Sequence, residues 1–166
     1  MFLNRKKRLR IVYLTESTRC YGGIKVAFRQ AEALHRLGYN VKVLSKHPYP
    51  FWMGKKIPYI IADPFNKNIG ENFDIIIAAG FRLPAVHHNQ TGAKVFHLMQ
   101  GYEGQFKEAQ PFLEEINKTY KLCMPTLTVS SQLRELVEQR FNNHHVYNIG
   151  QGLEHKYFYF SEKKIK

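Results

Sequence analysis

The sequence predicts an α/β fold, a three-layer domain built on a mostly parallel sheet of six or seven strands. Three observations carry this expectation. Short apolar segments rich in Val and Ile alternate along the chain with segments of helical periodicity. The apolar segments lack clean two-residue alternation, which suits strands covered on both faces. The first of them, Ile11 to Leu14, leads past the pair Gly22-Gly23 into an amphipathic helix and then a second strand. That is a βαβ unit, with the right-handed crossover such units require.

Strands are expected at 11–15, 41–45, 59–62, 74–78, 94–99, 126–129 and 146–149. The run from Phe73 to Ala79, interrupted only by Asp74, reads as a buried strand. The first helix places Ile24, Ala27, Phe28, Ala31, Leu34 and Leu37 on one stripe and stops at Gly38, a usual residue just past a helix end. A shorter helical segment is expected at 83–89. A helix at 111–122 follows, with Pro111 suited to its first position. The last spans 132–141, with Ser131 as N-cap and Leu133, Leu136 and Val137 turned inward. Residues 47–58 hold three prolines and no period, and read as a loop.

A chain of 166 residues with 44% hydrophobic content is long enough for one domain with a sizeable core. No apolar run approaches the roughly 20 residues of a membrane span, and no secretory leader pattern is visible. Cys20 and Cys123 fit neither a metal spacing nor a disulfide framework, so a reducing, cytoplasmic compartment is expected. The 25 Lys and Arg against 13 Asp and Glu give a net charge of +12, which favours polyanionic partners. Part of it lies in Arg5, Lys6, Lys7, Arg8 and Arg10, and part in Lys163, Lys164 and Lys166. Peripheral attraction to an anionic membrane surface is the leading reading of this charge. Nucleic acid is not the expected partner, because no RNA- or DNA-binding module signature is present. The expected organisation is a basic flexible arm at 1–10, one domain at 11–160 and a linker beginning at 161–166.

In an open α/β sheet, ligands bind beyond the carboxyl ends of the strands. Here the strand exits are glycine-rich or polar: Glu16 to Gly23, Gly80 to Arg82, Gln100 to Glu103, Ser130-Ser131, and Gly150 to Gly152. Their convergence on one edge makes a binding cleft the expectation. Gly22 and Gly23 let a ligand approach the backbone at a helix N-terminus, whose open N–H groups suit a phosphate or a sugar. The cleft candidates are Arg82, Gln100, Tyr102, Glu103, Ser130 and Ser131. His97, inside a strand, reads as a satisfied buried histidine.

Four segments resemble the N-terminal domain of retaining, nucleotide-sugar-dependent glycosyltransferases of the GT-B fold, family 4 (group 1). Gly22-Gly23-Ile24-Lys25-Val26 with Ala31-Glu32-Ala33-Leu34 is similar to that family's glycine loop and first helix. Gly38-Tyr39-Asn40-Val41-Lys42-Val43-Leu44 is similar to its second strand. Thr128-Val129-Ser130-Ser131-Gln132-Leu133 is similar to the strand end before its late helix. Ile149-Gly150-Gln151-Gly152-Leu153-Glu154, followed by Phe158 or Phe160, resembles its hinge. Many members carry a His-Asp pair after the fifth strand. Here that exit reads Gln100-Gly101-Tyr102-Glu103, closer to a Q-D-Y-E subset with Gly101 in place of the aspartate.

The resemblance implies a Rossmann-like N-terminal half. It implies sugar transfer from a nucleoside diphosphate sugar to a saccharide or lipid-linked acceptor in polysaccharide synthesis, with no metal and no resident cofactor. Gly22 and Gly23 then face the donor phosphate. Glu103 is the catalytic candidate on the acceptor side, its other reading being a solvated loop carboxylate. The partner implied is a C-terminal donor-binding domain, absent from this chain, which alone is expected to be inactive. Two readings from other classes stay open: a non-catalytic flavodoxin-like binding domain, and a basic membrane-recruiting subunit of a split transferase.

Overall fold

The computed structural model describes residues 9–54 and 57–152. Seven strands form one sheet: β1 (Arg10–Leu14), β2 (Asn40–Ser45), β3 (Tyr59–Ile61), β4 (Ile75–Ala79), β5 (Lys94–Met99), β6 (Thr126–Thr128) and β7 (Val146–Asn148). Their order is β3-β2-β1-β4-β5-β6-β7, and every neighbouring pair is parallel. The expected α/β architecture is therefore present, with β1 interior: Ile11 pairs with Val41 on one side and Ile75 on the other.

Four α-helices connect the strands: α1 (Gly22–Arg36), α2 (Arg82–His87), α3 (Leu113–Tyr120) and α4 (Ser131–Phe141). Alternate residues of a strand face opposite sides of the sheet, and that alternation divides the core. Ile11, Tyr13, Val41, Val43, Ile77 and Leu98 pack on one face with Ala27, Phe28 and Ala31 of α1. Val12, Leu14, Leu44, Ile76, Ala78 and Val95 pack on the other with Leu83 of α2. Met99 joins Ile116 and Tyr120 of α3 and Val137 and Phe141 of α4. Phe28 is fully buried and centres an aromatic cluster with Tyr49, Trp52 and Tyr59. Burying one such ring contributes about 1.5–3 kcal/mol.

Several boundaries differ from the sequence reading. Arg10 belongs to β1, not to a flexible arm. Asp74 precedes β4; its carboxylate accepts from the Arg10 backbone N–H at 2.8 Å and from the guanidinium at 3.0 and 3.2 Å. Gly22 and Gly23 are the first two residues of α1 rather than a turn before it. Pro111 sits in a 3-10 segment, Lys107–Phe112, and α3 begins two residues later. The N-cap of α4 is Ser130, not Ser131: its Oγ accepts the Leu133 N–H at 3.3 Å. His97 is buried as expected, with its ring 5.0 Å from that of Tyr120, but its Nε2 has no hydrogen-bond partner among the described residues. Cys20 and Cys123 are exposed and free. The hinge-like segment from Leu153 and the linker at 161–166 lie outside the described residues, as do residues 1–8.

Candidate functional site

The sheet order reverses at β1 and β4. From β1 the chain moves through α1 to β2 and β3; from β4 it moves the other way through α2 to β5. The loops leaving β1 and β4 therefore diverge and open a crevice at the carboxyl ends of the strands. Glu16 follows β1. Gly80 follows β4 with φ +75°, a backbone conformation that side chains disfavour, and this turn delivers Phe81 and Arg82 to the crevice.

Arg82 is held from four sides. Its Nη1 lies 3.9 Å from Glu16 Oε2 and its Nε 3.9 Å from Glu115 Oε1. Its guanidinium carbon sits 5.1 Å from the Phe81 ring centre and 4.8 Å from that of Phe112. Such a fixed, planar cation is suited to oxygen-rich ligands. Burial pushes the Glu16 carboxyl above its ordinary range, against the pull of Arg82 and Lys46; Glu115 and Glu103 push it the same way as burial.

The N-terminus of α1 forms the next wall. Tyr21 stands at its N-cap without a side-chain capping bond, and the first turn carries no acidic residue. The leading N–H groups are thus open to an anion. A Cβ built on Gly22 would meet nothing within 4 Å, so free space lies in front of this turn. Gln100, at the exit of β5, donates from Nε2 to the Gly23 carbonyl at 2.9 Å and ties that exit to α1.

Glu103 lies beyond Gln100 in a short 3-10 turn, Glu103–Gln105. Tyr120 Oη of α3 donates to Glu103 Oε2 at 2.6 Å and lies 3.4 Å from the Gly101 carbonyl. Burial raises the Glu103 carboxyl above its ordinary value, and the Tyr120 hydroxyl offsets part of that rise. Burial, and the carboxylate of Glu103 next, raise the Tyr120 phenol well above its ordinary value. A partly buried carboxyl held at one oxygen by a phenol is placed to accept or donate a proton through the other.

Of the expected cleft residues, the structure brings Gly22, Gly23, Arg82, Gln100 and Glu103 to this edge. Tyr102 does not line the cleft. It is 2% exposed, its Oη donates to Asn117 Oδ1 at 2.6 Å, and its ring packs edge-on to Tyr120. A Cβ at Gly104 would collide with the Tyr102 ring, so glycine there makes room for it. Ser130 spends its hydroxyl on capping α4. Ser131 is exposed, and its Oγ donates to Gln132 Oε1 at 3.4 Å. Glu16, Glu115 and Tyr120 went unselected. Glu16 had a local signal, lying two residues past the end of β1. The other two come from α3 through packing alone.

A separate concavity of about 470 Å³ lies on the sheet face opposite α1, between Lys42, Leu44, Ile60, Asn68 and Phe73. Its lining shares no residue with the crevice described above. Among the described residues, no group of three His, Cys, Asp or Glu is placed to hold a metal ion, and no helix is long and apolar enough to cross a membrane.

No protein-family model and no curated protein matches the sequence. Solved structures do resemble the fold. A glycosyltransferase from Rickettsia africae ESF-5 superposes with a TM-score of 0.57 at 13% identity, over 92% of this chain and 45% of that one. An α-glucosyltransferase, solved with UDP and a 13-mer DNA containing a central A:G mismatch, superposes with a TM-score of 0.52 at 13% identity, over 84% of this chain and 40% of that one. The chain thus spans less than half the length of these two enzymes. At such identity the likeness is one of fold, a Rossmann-like α/β sheet matching less than half of each glycosyltransferase.

Proposed function

We propose that this chain is the acceptor-side, N-terminal half of a GT-B glycosyltransferase of the retaining, family 4 type. It moves a sugar from a nucleoside diphosphate sugar to a saccharide or lipid-linked hydroxyl. The observation that carries the reading is the crevice at the reversal between β1 and β4. It joins an uncapped helix N-terminus to a fixed arginine and a carboxylate raised by burial. The fold shared with less than half of two glycosyltransferases supports it.

In the reaction, the bond from the anomeric carbon to the diphosphate oxygen breaks and a bond to the acceptor oxygen forms. Negative charge grows on the departing diphosphate. Preorganised N–H groups at Gly22 and Gly23 face that charge without reorganisation. Glu103, held at one oxygen by Tyr120, takes a hydrogen bond or the proton from the acceptor hydroxyl through the other. Arg82 orients the acceptor. A donor-binding domain completes the site and excludes water, whose attack on the donor is the competing reaction.

Labelled nucleoside diphosphate sugars incubated with saccharide and lipid-linked acceptors test this. The chain alone is expected to transfer nothing. A longer protein in which a donor-binding domain follows is expected to transfer sugar, and Glu103→Gln to reduce kcat more than KM. Full activity of Glu103→Gln would remove Glu103 from the chemistry. Robust transfer by this chain alone would falsify its reading as a half.

A further inference from the structure

Phe51 is 98% exposed, yet the loop that carries it is firmly held. The Met53 N–H donates to the Pro50 carbonyl at 3.2 Å and closes a tight turn with Phe51 near its tip. Trp52 Nε1 donates to the Thr18 carbonyl at 2.9 Å. Tyr59 Oη donates to the His47 carbonyl at 2.6 Å, and the Ile57 N–H donates to Tyr49 Oη at 3.2 Å. The rings of Tyr49 and Trp52 meet Phe28 edge-on, 6.2 and 5.5 Å away. Single exposed apolar residues are ordinary. Here the neighbouring aromatics all turn inward and anchor the turn, and one phenyl ring is raised into water on it.

The stretch that carries and receives the turn exposes cations and no acid. Between Ser17 and Gly54 the only acidic residue is Glu32, which is buried and paired with Arg29 at 2.7 Å. Arg19, Lys25 and Lys46 are exposed. Arg19 lies on the loop that receives Trp52, Lys25 in the first turn of α1, and Lys46 just past β2. Tyr21, 56% exposed, accepts from Arg19 Nη1 at 3.4 Å. Outside this stretch, Glu16 faces Arg82 and Lys46, and exposed Asp63 follows Ala62, whose N–H donates to the Ser45 carbonyl beside Lys46.

We propose that the turn at Phe51 is the insertion point of this domain into an anionic lipid surface, with Arg19, Lys25 and Lys46 as the cations that meet the headgroups. A ring open on every side cannot form a pocket for a small ligand. It fits a soft surface that closes around it. Phe has no polar tip to satisfy, so the acyl boundary suits it, while the cations remain at headgroup level. Each such cation adds attraction that fades beyond a Debye length. The proposal extends past sugar transfer and does not depend on it, because it is read without turnover.

The chain is sedimented with vesicles of phosphatidylcholine alone and with vesicles carrying roughly one-third phosphatidylglycerol. Trp52, the only tryptophan, neighbours Phe51 and reports by its emission. Pelleting with anionic vesicles, a blue shift of Trp52 and release by high salt are expected. Phe51→Ala, with an unchanged circular dichroism spectrum, is expected to lower the partition coefficient about fivefold, and Phe51→Trp to retain it. Arg19→Glu with Lys46→Glu is expected to lower it tenfold or more, at about fivefold per charge. Lys121→Glu, at the far end of α3, is expected to change it less than twofold. Phe51→Ala pelleting like wild type overturns the proposal, as does equal pelleting with neutral vesicles. So does a loss in Phe51→Ala that appears with a single-stranded oligonucleotide and not with vesicles.

Discussion

Replacing Gly22 with alanine separates stability from binding, because the two respond with opposite signs. Gly22 is the first residue of α1, its φ is not positive, and an added Cβ meets nothing within 4 Å. Alanine restricts the unfolded chain and favours the helix, gaining about 0.4–1 kcal/mol. For a domain of this size that gain raises Tm by about 1–4 °C. The same methyl group stands in the space an anion needs to reach the first N–H groups of α1. Losing one hydrogen bond to a charged acceptor costs about 1.5–3 kcal/mol, which weakens binding roughly 10- to 100-fold. Thermal melts by circular dichroism give the first quantity, and titration calorimetry with a set of nucleoside diphosphates gives the second. Gly22→Ala is expected to melt higher and bind more weakly. A lower Tm, or a higher Tm with unchanged binding, refutes the assignment of this space to the donor phosphate.

Other substitutions probe the remaining walls. Gln100→Leu removes the bond to the Gly23 carbonyl and is expected to cost about 0.5–1.5 kcal/mol by chemical denaturation, with weaker nucleoside diphosphate binding as well. Tyr102→Phe leaves Asn117 Oδ1 without its donor and is expected to lower Tm while leaving that binding unchanged; altered binding would return Tyr102 to the cleft. Burial lowers the His97 imidazole from 6.5 to about 4, so it folds neutral. Its contribution is fully present above about pH 6.5 and is lost as pH falls toward 4, because the unfolded chain takes up the proton first. His87, also lowered by burial, acts in the same direction, and the raised Glu103 acts against both. Wild type and His97→Asn compared across this window isolate the effect: the variant is expected to show the shallower fall in Tm, and parallel curves would refute it.

The positions of strands and helices along the chain were legible because apolar period and glycine punctuation are local signals. Val12, Ile76 and Val95 declare a sheet buried on both faces without any long-range information. Gly38 marks the end of α1 in the same way. The exits Gly22-Gly23, Gly80 and Gln100 were legible because a parallel sheet sends every carboxyl end to one edge. One boundary failed where a side chain captured a backbone group: Ser130 binds the Leu133 N–H and takes the cap expected of Ser131. Tyr102 was misplaced because a tyrosine at a strand exit looks the same in sequence whether it faces solvent or Asn117. Tyr120 and Glu115 reach the crevice only through the packing of α3 on the sheet, which no residue pattern announces.

The central claim is that one crevice, at the reversal between β1 and β4, receives a nucleoside diphosphate sugar and its acceptor. Backbone amide chemical-shift mapping of the ¹⁵N-labelled chain, titrated with nucleoside diphosphates and then with saccharides, tests it directly. The nucleotide is expected to shift the amides of Gly22, Gly23 and Gln100, and the saccharide those of Gly80, Arg82 and Glu103. Shifts gathered around Lys42, Ile60 and Asn68 on the opposite sheet face, or none at millimolar ligand, would contradict it.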